Sequence, residues 1–403
     1  MQSGSHIRII LSGLLIVAVW WSGKAQPGKA AGTIKQDVLL VDKLNVSVRD
    51  SAASFNSIGI EKRNEQDYHE AIGYFTKAIK ADSGYVQAYL NRAHAKRTLL
   101  DYKSAISDYN LVLKQKLTWE EQYEVYYNRA LTEALLNNLK AAMSDFDYSV
   151  RLKPSNADAY YNRSILKGMM GDYAGELKDI NQAIILRPND WQEYNSRGIV
   201  RSVMGNYVEA LADYAKAITL DKSKSDPYFN RAIVYFQLKK YLEALKDFDI
   251  AIQMKPDAEI YNRRGNTKCR LKDYRGALAD YNEAIGLNPS DHTAYVNRGQ
   301  LKFELKDYQS AIDDYTQAIK MKPDYAPAYY YRGLAKKKLN DTNGEIQDYT
   351  KAIEFRPDFE RAYNERGMAR YASGDKTGGC EDLNKAVRLG SDDAYNNLVL
   401  HCR

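Results

Sequence analysis

Ala294-Tyr-Val-Asn-Arg-Gly299, followed by Asp307-Tyr-Gln-Ser-Ala-Ile-Asp-Asp-Tyr-Thr-Gln-Ala-Ile319 and then by Pro323, decides how this chain folds. Its two halves are linked by Arg298 and Asp314, which stand sixteen residues apart and are centred on Lys306. The same couple recurs at a period of about 34, as Arg92/Asp108, Arg129/Asp145, Arg163/Asp179, Arg197/Asp213, Arg231/Asp247, Arg264/Asp280, Arg298/Asp314, Arg332/Asp348 and Arg366/Asp382. A fixed period of this size means structural repeats. Where an earlier copy would fall, the chain has Ile58 and Tyr74 instead. The partners are present together or absent together, which is internal evidence that they touch.

Each unit reads as two short helices joined by a tight turn, because residues equidistant from the turn of an antiparallel helix pair lie level. A guanidinium at that level reaches a carboxylate across the hairpin and can bond both of its oxygens. These charges are therefore expected to be structural. A tyrosine stands three residues before each arginine (Tyr295 before Arg298), and a small residue such as Gly265, Gly299 or Gly333 follows it. Ala-Ile pairs frame the aspartate at helical spacing. Asp67, Asp101, Asp172, Asn206, Asp273, Asp307 and Asp341 are placed to cap the second helices. Pro154, Pro188, Pro256, Pro289, Pro323 and Pro357 separate units, since the residue before proline leaves the helical region.

These residues resemble the tetratricopeptide repeat family over most of the chain, with arginine where the family more usually has leucine. The resemblance implies an all-α fold, a right-handed α-solenoid of about ten helical hairpins. Units begin near residues 52, 86, 123, 157, 191, 225, 258, 292, 326 and 360 and fill 52–390 as one elongated domain, with 391–403 as a capping helix. It also implies a concave groove, lined by first helices, that binds a peptide or protein segment. Two intervals break the period, 37 residues from Arg92 to Arg129 and 33 from Arg231 to Arg264, and the longer is expected to bend the array.

Residues 1–25 differ in kind: His6 and Arg8, an apolar run from Ile9 to Trp21, then Gly23-Lys24-Ala25. This is a secretory signal pattern, too short for a membrane span. The expectation is cleavage after Ala25, a tether over 26–51, and a periplasmic or secreted protein with no stable membrane span after cleavage. The formal charge of +6 is spread along the repeats, which gives nucleic-acid binding no support. Of three cysteines, Cys380 and Cys402 lie together in the last units, and free, part-buried thiols are favoured over pairing. No metal-ligand spacing, phosphate loop or nucleophile elbow occurs, so neither cofactor, metal nor enzymatic activity is expected.

If the family arrangement holds, the groove of the middle units is apolar, with Tyr127, Leu131, Leu135, Tyr161, Ile165, Met169, Ile199, Val203, Phe229, Ile233 and Phe236. Units seven to ten turn polar, with Asn266, Gln300, Lys337 and Lys338. Asn91, Asn128, Asn162, Asn230 and Asn297 precede the arginines, and their amides either hold a peptide backbone or tie neighbouring helices. Glu176 and Glu345 replace a small alanine, and their carboxylates are expected to reach solvent. Envelope glycan recognition by groove aromatics is the alternative function, and hydrolysis through those glutamates a weaker one.

Overall fold

The structure, a computed structural model, describes residues 36–402, with side chains from Asp50 onward. The expected signal segment 1–25 lies outside the described residues. Twenty-one helices and no strand are found among them. They form ten hairpins, Gln36–Asn64 with Tyr68–Ala81, Val86–Thr98 with Tyr102–Val112, Trp119–Leu135 with Leu139–Leu152, Ala157–Met169 with Tyr173–Leu186, Trp191–Val203 with Tyr207–Leu220, Ser225–Gln237 with Tyr241–Met254, Ala258–Arg270 with Tyr274–Leu287, His292–Glu304 with Tyr308–Met321, Ala326–Lys338 with Thr342–Phe355, and Glu360–Ala372 with Lys376–Arg388. A last helix, Asp392–His401, follows. The segment expected to be a tether enters helix at Gln36, and hairpin one therefore opens with a 29-residue helix.

The chain divides into two compact units, up to Asp213 and from Tyr214, where the repeat pattern suggests one domain. A solenoid has no common core, because each repeat touches only its neighbours. Within the first unit, successive helices pack from hairpin one to Trp191–Val203. Within the second they pack from Ser225–Gln237 to the last helix.

Each hairpin turns on one left-handed residue. In hairpin eight this is Lys306, at φ 65. Its N–H donates to Phe303 O at 2.9 Å, and the Asp307 N–H donates to Lys302 O at 2.9 Å. This crossed pair satisfies carbonyls that the helix end leaves open. Asp307 then accepts from the Ser310 N–H at 3.2 Å, so one residue closes the first helix and caps the second. Asp67, Asp101, Asp172, Asp273 and Asp341 cap in the same way, and so does Asp375. Glycine holds the left-handed place at Gly171, Gly205 and Gly374, but Gln66, Leu100, Asn137, Lys239, Lys272, Lys306 and Asn340 hold it elsewhere. Because a Cβ is disfavoured there, Lys306→Gly is expected to stabilise the chain by about 0.5–1 kcal/mol. Chemical denaturation checks this, and a loss of stability would count against the turn as drawn.

Gly299 is small because the Tyr315 ring fills the space beside it, and an added Cβ would lie 2.7 Å from a ring carbon. Gly265 and Gly333 meet Tyr281 and Tyr349 in the same way. Those three rings, with Tyr109, are fully buried. The 37-residue interval is absorbed locally, through a short 11-residue helix, Tyr102–Val112, and a long 17-residue one, Trp119–Leu135. The 33-residue interval leaves only Lys255-Pro256-Asp257 between helices.

The last helix buries Ala394 with Leu383 and Ala386, and Leu398 lies against that cluster. Leu398 stands where the repeat carries arginine, so the helix asks for no carboxylate from a following one. Cys380 and Cys402 form a disulfide with Cα atoms 5.7 Å apart, in place of the free thiols expected. The last helix runs back along hairpin ten and brings Cys402 over Cys380, a proximity that sequence separation does not reveal. Cys269 is free and half-buried.

Candidate functional site

The repeated arginine ties the two helices of its hairpin to one another. Arg298 gives Nε and Nη2 to the two oxygens of Asp314 at 3.0 and 2.6 Å. The same two-pronged grip joins Arg92 to Asp108, Arg129 to Asp145, Arg163 to Asp179, Arg197 to Asp213, Arg231 to Asp247, Arg264 to Asp280, Arg332 to Asp348 and Arg366 to Asp382. Each aspartate is buried.

Two features of this network escape the repeat reading. The third arginine nitrogen reaches back to the preceding hairpin. Arg298 Nη1 donates to Asn282 Oδ1 at 2.7 Å, and the equivalents are Thr76, Asn110, Asp147, Asn181, Asp249, Thr316 and Thr350. The signal was present, since a polar residue stands two places after each paired aspartate that precedes a further arginine, Asp213 excepted, where Ala215 follows. Second, a cation four residues after most arginines shares the carboxylate: Lys302 lies 2.8 Å from Asp314, and Arg370 3.0 Å from Asp382. Hairpins three and six have Glu133 and Tyr235 there instead. The preceding tyrosine is a stacking surface rather than pure core. Arg298 lies 5.5 Å from the Tyr295 ring centroid and Arg197 5.3 Å from that of Tyr194, within cation–π reach.

The asparagine amides are engaged chiefly with neighbouring hairpins. Asn91 Nδ2 donates to Asn56 Oδ1 at 2.9 Å, Asn162 Nδ2 to the Tyr127 hydroxyl at 2.8 Å, and Asn297 Nδ2 to Asn262 Oδ1 at 2.9 Å. Asn128 Nδ2 bonds Glu124 O one turn back, and Asn230 is buried. Asn364 and Asn397 repeat the tie beneath the last helix. This is the helix-tying alternative rather than a free ladder.

The apolar inner positions separate into buried and open ones. Tyr161 and Phe229 are only 7% and 9% exposed, and Ile165 is buried with them as core. Tyr161 spends its hydroxyl on Ser196 Oγ, 2.9 Å away. Tyr127 is half-buried and stacks on Tyr123 at 5.7 Å. In the first unit Leu135 and Val203 stay open, at 41% and 38%. In the second, Ile233, Phe236 and Phe248 line a pocket of about 40 Å³ with Arg263 and Asn266. Tyr281 donates to Asn266 Oδ1 at 2.7 Å, and Arg263 pairs with Glu259 at 3.2 Å. The continuous exposed stripe expected from sequence is thus reduced to separate openings, because Tyr161 packs with Ala183 of its own second helix and bonds Ser196 of the next hairpin, while Phe229 lies beside Phe248 of its own second helix.

Glu176 and Glu345 do not reach solvent; both are buried. Glu176 occupies the space beside Gly168, which has no side chain to fill it. Burial, reinforced by the Asp172 charge, pushes its carboxyl up to about 8. Burial likewise raises Glu345, and raises Glu193 to about 7 against the opposing pull of Arg187. The folded form therefore holds a proton that the unfolded chain releases, so the contribution of Glu176 is full in acid and is lost as pH rises toward 8. Glu176→Gln is expected to match the parent near pH 4 and to exceed it in stability at pH 9. The slope between is at most about 1.4 kcal/mol per pH unit. Denaturation midpoints at both pH values test this, and parallel curves would contradict burial of the charge.

Among the described residues no group of three or more His, Cys, Asp or Glu side chains is placed to hold a metal ion, and no helix is long and apolar enough to cross a membrane. Stacked hairpins with level arginine–aspartate couples define an α-helical repeat protein. Residues 258–291, 292–325, 196–259 and 326–359 match tetratricopeptide repeat profiles, so the chain carries tetratricopeptide repeats over 196–359. No curated protein matches it. Among solved structures, a tetratricopeptide repeat protein from Parabacteroides merdae is similar with a TM-score of 0.50 and 17% identity over 63% of this chain and 99% of that one. YrrB, described as a TPR protein with an unusual peptide-binding site, gives 0.39 and 24% over 45% of this chain and 95% of its own. MamA gives 0.37 and 24% over 41% and 96%. At these identities the likeness is one of fold.

Proposed function

We propose that this chain is a non-catalytic scaffold that binds a protein or peptide segment along the face formed by its first helices. The pocket at Ile233, Phe236 and Phe248 carries this reading, because it joins an apolar floor to two polar side chains held in place, Asn266 by the Tyr281 hydroxyl and Arg263 by Glu259. Small apolar pockets rimmed by a few fixed polar groups are how side chains of a bound segment are held. The carboxylates of Glu176 and Glu345 are buried, which speaks against hydrolysis through them. The rings of Tyr161 and Phe229 are covered, which speaks against sugar stacking there.

The place of work in this proposal is periplasmic or extracellular. The apolar leader and the Cys380–Cys402 bridge support it, since disulfides persist in oxidising compartments. A photo-crosslinking residue at position 236 is expected to trap a discrete partner in the native compartment. The same residue at position 242, where Leu242 is exposed on a second helix, is expected to trap none. Equal trapping at both positions would remove the first-helix face as the docking surface.

A further inference from the structure

Hairpin one is unequal. Its first helix, Gln36–Asn64, has 29 residues, and its second, Tyr68–Ala81, has 14. Residues equidistant from the turn lie level, so Ala81 ends beside Ser51 and residues 36–50 run past the end of the second helix. That is about 22 Å of helix with no helix of its own hairpin beside it. The hydrogen bonds that join Gln36–Asn64 to Val86–Thr98, from Asn91 to Asn56 and from Arg63 to Asn91, both lie C-terminal to Ala52. A lone helix of this length is marginal in water unless another surface packs on it.

The face turned to the second helix carries Ala52, Asn56 and Gly59, all buried, with Gly59 set against the Phe75 ring. Helical steps of four and three backward from Ala52 place Val48, Leu44, Val41 and Val38 on the same line. An apolar line thus continues where the second helix has ended. The charges along it are ordered, with Asp37 and Asp42 first and Lys43 and Arg49 after them. About a centre between Asp42 and Lys43, each position has its complement: Asp37 matches Arg49, Asp42 matches Lys43, Val38 matches Val48 and Val41 matches Leu44. A helix of this kind complements itself when turned end for end.

We propose that residues 36–50 pair antiparallel with the same residues of a second copy of this chain, forming a two-fold symmetric dimer joined through its N-terminal helices. Two-fold contact uses one patch on both copies and closes at two. Flanking charges decide orientation in helix pairs. Antiparallel pairing sets acids against bases, whereas in-register parallel pairing sets Asp42 against Asp42 and Arg49 against Arg49. With two acids and two bases among residues 36–49, the helix has no excess of positive charge to hold it on an anionic lipid surface. The dimer contact does not draw on the pocket at Phe236.

The test is sedimentation equilibrium of the chain in the form its cell accumulates, from about 1 to 100 µM. A monomer–dimer equilibrium is expected. Lys43→Glu with Arg49→Glu leaves only acids at the four charged positions, and Asp37→Lys with Asp42→Lys leaves only bases. Each double variant is expected to self-associate at least about tenfold more weakly than the parent, through like-charge repulsion. Mixed in equal amounts, the two are expected to form a heterodimer at least as tight as the parent dimer. Val41→Asp with Leu44→Asp is expected to leave monomer. All these positions lie beyond the paired part of hairpin one, and the mixing result reports on association whatever a single variant does to the helix. A parent chain that stays monomeric overturns the proposal. So does a dimer that tolerates both charge variants, or a mixture that fails to recover association. A monomer that sediments with anionic vesicles assigns the helix to lipid and overturns it as well.

Discussion

Arg129→Ile is expected to destabilise hairpin three by about 3–5 kcal/mol, more than the same change at Arg298. Arg129 holds both oxygens of Asp145 at 2.7 Å and ties Asn110 of the preceding hairpin at 2.6 Å. Its loss strands a buried carboxylate, since the place four residues on is Glu133 and no second cation arrives. In hairpin eight Lys302 remains 2.8 Å from Asp314 and softens the same loss. Adding Asp145→Tyr should recover most of the stability, because removing both charges leaves nothing buried and unpaired, as hairpin one does with Ile58 and Tyr74. Hydrogen exchange across residues 119–152, with denaturation of the whole chain, measures both effects. A double variant less stable than the single one, or a larger loss at Arg298, would show that the couples are not buried as argued.

Reducing the Cys380–Cys402 bridge, or replacing both residues with alanine, is expected to cost the C-terminal end about 3 kcal/mol. The bridge closes a loop of sequence separation 22 and ties down a helix whose fully buried residue is Ala394 alone. Chain entropy released in the unfolded segment accounts for the size of the effect. Amides of residues 392–401 should exchange much faster with reductant, while those of hairpin three stay unchanged. Equal exchange with and without reductant would mean that packing on Leu383, Ala386 and Val387 holds the helix unaided.

The architecture is legible because each repeat states its own contacts within one period. The sixteen-residue couple and the aspartate caps are local relations, and a single hairpin suffices to express them. The candidate site is less legible. Position on a first helix places Tyr161 and Phe229 on the inner face, but packing on Ala183 and beside Phe248 across their own hairpins and, for Tyr161, the bond to Ser196 of the next hairpin decide that they are covered. Glu176 reads as a solvent-seeking acid until the missing side chain at Gly168 supplies a place to bury it.

What the residues determined unaided was the hairpin, its turn and the couple that levels it, since these depend on spacing along one short stretch. What tertiary packing alone decided was the meeting of Cys380 with Cys402 and which inner side chains stay open. Those depend on the distance between successive hairpins, and that distance is set by the side chains wedged between helices from different repeats.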